Sequence, residues 1–189
     1  MSDTYANLLD LAESESCARG FTAVSYGDLA TLAGIRKASI HHHFPAKASL
    51  GLALVDRYAD RLAGELAELS ERSRSGGDAL RAYLARCRND LRDGTAVSLL
   101  AAMIADAANL PEEMRGQVTR LRELVVRWLG DVLQRGRQDR SISVSGGPRE
   151  EGLAVFVQLL GAQLAARAAR DPSLFDAASA TISARIFRS

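Results

Sequence analysis

Apolar residues along this chain recur at steps of three and four almost from end to end, the spacing that lays a buried stripe along a helix. Residues 5–19 carry Leu8, Leu9, Leu11 and Ala12 on such a stripe, and Gly20 is placed to cap the end. Residues 25–34 open on Ser25-x-x-Asp28, the pattern of a capping box, turn Leu29, Ala30 and Leu32 inward, and stop at Gly34. Residues 35–44 make a further short helix that buries Ala38, Ile40 and Phe44 and ends at Pro45, which cannot continue the hydrogen-bond ladder. A long fourth helix follows over 46–72, with Leu50, Leu54, Tyr58, Leu62, Leu66 and Leu69 on one side.

After a serine and glycine turn at 73–77, residues 78–92 place Leu80, Tyr83, Leu84, Cys87 and Leu91 inward until Gly94 breaks the pattern. Residues 97–110 are apolar nearly all round, which predicts burial on more than one side. Pro111, Glu112 and Glu113 suit the first turn of a seventh helix running to about residue 139, because proline fits there and carboxylates favour the positive end of the dipole. Residues 140–148 read as a loop with a short extended piece at 142–144. An eighth helix over 150–170 sets Leu153, Phe156, Val157, Leu160 and Leu164 inward, with Gly161, Ala162, Ala165 and Ala166 small enough for close helix approach. A ninth, from Asp171-Pro172 to Phe187, carries Leu174, Ala178, Ile182 and Ile186. The fold class is all-α. Two closing helices this apolar would expose a large patch on a monomer, so a two-fold helix bundle is expected to bury it.

Composition narrows this picture without changing it. The net charge is +1, so bulk electrostatics do not advertise a polyanionic partner. Residues 1–50 are themselves slightly acidic, with Asp3, Asp10, Glu13, Glu15 and Asp28 against Arg19, Arg36, Lys37 and Lys47, but three of those four cations lie on or beside the third helix. Cys17 and Cys87 form no disulfide framework and no metal-ligand spacing. The first fifteen residues lack the basic start and apolar run of a signal peptide. The longest apolar stretch, 153–166, is short for a membrane span and is interrupted by Gln158 and Gln163. A cytoplasmic protein is expected.

Helix, glycine turn and helix over 25–44 make a helix-turn-helix pattern. The outward residues of its second helix, Arg36, Lys37, Ser39, His41 and His42, are short, polar and basic, which suits a major groove about 12 Å wide. Gly20-Phe21, Ser25, Asp28-Leu29-Ala30, Ala33-Gly34-Ile35, the run from Lys37 to Lys47 and Leu50 together resemble the DNA-binding domain of the TetR family of bacterial transcriptional regulators. The sequence Leu159 to Arg167 followed by Asp171 to Phe175 more loosely resembles the end of some regulatory domains of that family. The resemblance implies a DNA-binding domain at 1–48 and an effector-binding and dimerisation domain at 49–189. It implies a homodimer, joined through the last two helices, that represses by binding a palindromic operator and lets go when a small molecule occupies the larger domain. Ser25, Arg36, Lys37, Ser39, His41, His42 and Lys47 are the expected DNA-binding residues. His41 takes the place of a phosphate-contacting tyrosine, His43 packs beside Phe44, and Lys47 grips a phosphate at the start of the fourth helix. Where the family carries large apolar residues in the last turn of its first helix this chain has Glu15 and Ser16, so fraying is expected there. Residues 1–6 contain no cation, so no N-terminal arm contact is expected.

Other chemistry is scarce. Consecutive histidines on a helix point about 100° apart, so His41, His42 and His43 cannot hold one metal ion from that helix. Cys87 has mostly apolar helical neighbours, none of which lowers a thiol pKa, and Arg86 and Arg88 point elsewhere, so it reads as a buried, inert cysteine. Tyr83, Cys87, Met103, Trp128, Phe156 and Gln163 fall on the helices that would surround an effector cavity. The absence of clustered cations on their inward faces points to a largely apolar effector. No catalytic constellation, phosphate-cradling loop or cofactor motif is present, so no enzyme is expected. The competing class is a helical small-molecule-binding dimer or enzyme that does not bind specific DNA.

Overall fold

The structure, a computed structural model, describes residues 3–187. It consists of α1 (Asp3–Arg19), α2 (Tyr26–Ala33), α3 (Lys37–His43), α4 (Lys47–Arg72), α5 (Gly76–Asn89), α6 (Leu99–Ala105), α7 (Glu112–Gln138), α8 (Pro148–Ala169) and α9 (Ser173–Ile186), with 3-10 turns at Arg92–Gly94 and Ala107–Asn109. Among the described residues the extended structure is one isolated bridge, Ile142 to Phe187. The chain divides into two compact units, Met1–Asp60 with Leu99–Leu121, and Arg61–Ser98 with Arg122–Ser189. Each is built from two stretches of chain, and α4 and α7 contribute to both.

In the first unit α1 packs on α2 and α6, and α2 packs on α3. Leu8, Leu9, Ala12, Phe21, Leu29, Ile40, Phe44, Leu50, Leu54, Met114 and Val118 form its core. Gly51 of α4 allows close packing there, since a Cβ at that position would displace the Met114 methyl and come within 2.7 Å of the Phe21 ring. The last turn of α1 does not fray. Ser16 is fully buried and donates its hydroxyl to the Ala12 carbonyl at 2.6 Å, and Glu15 pairs with Arg19 at 2.6 Å. A small polar side chain that satisfies itself on its own helix thus replaces a large apolar one without loss of order. Arg57 of α4 joins α1 through Asp10 at 2.8 Å and Glu13 at 3.1 Å. Two expected core positions are instead on the surface: Leu32 is 52% exposed and Ala38 is exposed. Both helices are so short that one face suffices for Leu29, Ala30, Ile40 and Phe44. The expected lack of an N-terminal contact falls partly on residues 1 and 2, which lie outside the described residues.

In the second unit α8 packs on α9 and α5 on α9 around Leu80, Tyr83, Leu84, Leu129, Phe156, Leu159, Phe175 and Ile182. α5 begins two residues before its predicted start, because Ser75 accepts from the Asp78 amide at 3.0 Å and draws Gly76 and Gly77 into the first turn. Gly76 lies against α7 so closely that a Cβ would be 2.3 Å from the Gly136 nitrogen. Gly152 and Gly130 allow a similar approach of α8 to α7, with a Cβ on Gly152 2.8 Å from the Gly130 nitrogen. Of the four small residues given that task by the sequence, Ala162 and Ala166 are buried, Ala165 is exposed and Gly161 faces open space. α5 also ends earlier than expected, at Asn89, with Gly94 at φ +86 completing the turn after it. α6 covers half its predicted span, since Ala107–Asn109 tightens into a separate 3-10 turn.

The eighth helix differs most from expectation. Leu153 and Val157, predicted inward, are 47% and 54% exposed, and Leu174 of α9 is 42% exposed. Phe156 is buried as expected, while Leu160 and Leu164 are half-buried. At 22 residues α8 is also long and apolar enough to cross a membrane by length and composition, although only 39% of its most apolar window is buried within the chain. Its apolar residues serve two faces, one against α9 and one outward.

Candidate nucleic-acid interface

The helix-turn-helix is fixed by local chemistry at each end. Ser25 caps α2 by accepting from the Asp28 amide at 3.1 Å, and its hydroxyl, with help from Arg19, holds the Asp28 carboxyl below the usual carboxylate range. Gly34 ends α2 at φ 66, a left-handed conformation that a side chain would oppose, and its amide reaches back to Thr31. Arg36, at the N-cap of α3, is extended and makes no capping bond with its side chain. The α3 end is anchored from behind, because the buried Tyr26 hydroxyl donates to the Phe44 carbonyl at 2.8 Å. Burial raises the Tyr26 pKa, so it stays a donor.

These anchors leave one side of α3 free. Ile40 is fully buried and Phe44 is 2% exposed, while Arg36, Lys37, Ser39, His41 and His42 are exposed. His41 stands edge-on against Tyr26 with ring centroids 4.9 Å apart. His43 is half-buried between Tyr5 at 6.1 Å and Phe44 at 6.5 Å. Among the described residues no group of three or more His, Cys, Asp or Glu is placed to hold a metal ion.

Lys47 is more engaged than its sequence position suggests. Its Nζ donates to the Thr22 carbonyl at 2.8 Å and lies 5.0 Å from the Phe21 ring centre, and burial lowers its pKa. Thr22 is held a second time, by Asp106, whose carboxylate accepts from its amide at 2.8 Å and its hydroxyl at 3.1 Å. Sequence reasoning missed Asp106 and Thr22, because nothing local links positions 84 residues apart.

Tyr83, Cys87, Trp128, Phe156 and Gln163 belong to the second unit and Met103 to the first. Tyr83 and Trp128 rings lie 5.1 Å apart, and the Trp128 indole donates to the Leu66 carbonyl at 3.0 Å and to the Ser70 hydroxyl at 2.8 Å. Gln163 is 5% exposed, and its side-chain oxygen already accepts from the Ser98 amide at 2.8 Å. Cys87 is 2% exposed, and burial, followed by the Asp90 charge, pushes its thiol up to about 12. Arg86 and Tyr83 both reach the sulfur and oppose that shift, contrary to the expectation that Arg86 points away, but they do not overcome it. A cleft of about 510 Å³ lies between α4 and α5 beside Glu65, Leu69, Arg72, Asp78 and Arg86, and none of the six expected effector residues lines it.

A three-helix unit that exposes a basic, polar second helix across a glycine turn defines a helix-turn-helix DNA-binding protein. Residues 8–54 match the family described as bacterial regulatory proteins, tetR family. A TetR-family transcriptional regulator from Agrobacterium tumefaciens is 30% identical, superposes with a TM-score of 0.91 and is matched over 98% of both chains. The HTH-type transcriptional repressor NemR of Escherichia coli K12 is 27% identical over 171 residues, which cover 89% of this chain and 86% of that protein. Its reduced form superposes with a TM-score of 0.83 over 97% of both chains at 28% identity. The chain belongs to the TetR family of transcriptional regulators.

Proposed function

We propose that this regulator represses transcription as a cytoplasmic homodimer, binding a palindromic operator and releasing it when a small, largely apolar molecule enters the larger domain. The observation that carries this reading is the division of α3 into a buried side, Ile40 and Phe44, and an exposed side of Arg36, Lys37, Ser39, His41 and His42. In it, Arg36 and Lys37 reach base edges or phosphates, Ser39, His41 and His42 donate to the backbone, and the Ser25 end of α2 faces a phosphate. Lys47 contributes positive potential from behind the Thr22 carbonyl. Two copies of α3 would stand roughly 34 Å apart, or a multiple of it, to read successive major grooves. The repressor named among the relatives favours repression over activation. Residues 1–48 supply the operator contacts and 49–189 the effector and dimer functions.

The effector reading rests on Tyr83, Cys87, Trp128 and Phe156, which offer apolar and aromatic side chains, with Gln163 on the same helix as Phe156 and Met103 on α6. The exposed row Leu153, Val157 and Leu174 supports a dimer through α8 and α9. Selection of bound sequences from random duplex DNA by the purified protein, at two salt concentrations, tests the reading. A recovered palindrome bound with submicromolar affinity supports it. A folded dimer that enriches nothing at low salt refutes it and leaves a helical small-molecule-binding protein.

A further inference from the structure

Asp106 stands at the N-cap of the 3-10 turn Ala107–Asn109, where an aspartate ordinarily bonds amides of its own turn, yet its side chain makes no capping bond. One of its oxygens is spent instead on the Thr22 amide and hydroxyl, at 2.8 and 3.1 Å. Room for the carboxylate comes from Gly20, where a Cβ would lie 3.0 and 3.2 Å from the two oxygens and where φ is +88. Lys47 then takes the Thr22 carbonyl at 2.8 Å, and its ammonium feels the Asp106 charge. Every polar group of Thr22 is thus held by a side chain from a distant part of the chain, although Thr22 itself is exposed.

Thr22 lies in the connection between α1 and α2, three residues before the Ser25 cap. Holding it sets where α2 begins, and α3 packs on α2.

We propose that Asp106 is a positioning residue for operator binding, a carboxylate clasp on Thr22 that fixes the presentation of α2 and α3. The proposal rests on α3 being the recognition helix. Its test uses the full chain with Asp106→Ala, and Asp106→Asn as the conservative variant that keeps an oxygen acceptor. Amide exchange at Thr22 is read without DNA, and affinity is read on the selected operator.

Asp106→Ala is expected to exchange the Thr22 amide on the order of tenfold faster and to bind operator about tenfold more weakly, with dimer and melting temperature kept. Asp106→Asn should recover most of both. Should Asp106→Ala fail to fold, Thr22→Val, which removes the hydroxyl alone, is expected to weaken binding about threefold. Parental affinity in a folded Asp106→Ala or Thr22→Val protein overturns the proposal, as does a lowered melting temperature with parental affinity. Absence of operator binding in the parent would instead overturn the DNA reading and this proposal with it.

Discussion

Replacing Leu153 and Val157 by glutamate should convert the protein to a monomer while leaving its fold intact. The two lie four residues apart on one face of α8 and are 47% and 54% exposed in the isolated chain. Burying the exposed half of such a side chain is worth about 1 kcal/mol, so two sites in each of two chains contribute about 4 kcal/mol to a symmetric dimer. That corresponds to roughly a thousandfold in dissociation constant, before any cost of burying the new carboxylates. Neither residue belongs to the core of its own chain, so the helical signal and the melting of the monomer should change little. Sedimentation velocity across micromolar concentrations reads the association directly, and binding to a palindromic duplex should fall with it. A double variant that still sediments as a dimer with parental affinity would refute the assignment of this face.

The remaining predictions concern three separate parts of the molecule. Arg36→Ala with Lys37→Ala should weaken operator binding by at least tenfold at low salt, lower the slope of affinity against salt by about two, and leave the oligomeric state unchanged in sedimentation. Cys87, with its thiol pushed up to about 12 and 2% exposed, should resist maleimide in the folded protein and react once denaturant opens it, which mass spectrometry resolves. Asp139→Ala should destabilise the second unit by about 1 kcal/mol, because it frees the Gly76 amide held at 2.7 Å. The Ser141 hydroxyl and then the Gly76 amide hold the Asp139 carboxyl below its usual range, so this stabilisation is present at neutral pH and fades as pH falls into the acid range. Thermal melts of parent and variant should therefore converge in acid.

Helix positions were legible in the sequence to within a residue or two wherever a cap residue marked them, as Ser25, Gly34 and Pro111 did. The α5 start was missed because Gly76-Gly77 reads as a turn by composition, and only the touching backbone of Gly136 explains glycine inside a helix. Ser16 looked like a defect because apolar pattern alone cannot see a hydroxyl returning to its own helix. Periodicity turns Leu153 and Val157 inward because it identifies an apolar stripe without saying whether the chain or a second copy covers it. The basic face of α3 was legible from spacing and punctuation together. The Asp106 to Thr22 hydrogen bonds and the use of Gln163 by Ser98 were not, since tertiary pairs over such separations leave no local mark.

The first compact unit takes its residues from two separated stretches, Met1–Asp60 and Leu99–Leu121. The DNA-binding helices are consequently not a cassette that can be cut out at the end of α3 or α4 and joined to another sensor. A chimera bearing only the N-terminal stretch would leave the pockets for Leu110, Met114 and Val118 unfilled and Thr22 without its carboxylate. Domain exchange within this family, for this chain, has to carry residues 99–121 along with the helix-turn-helix, so that the transplant is made of two grafts and not one.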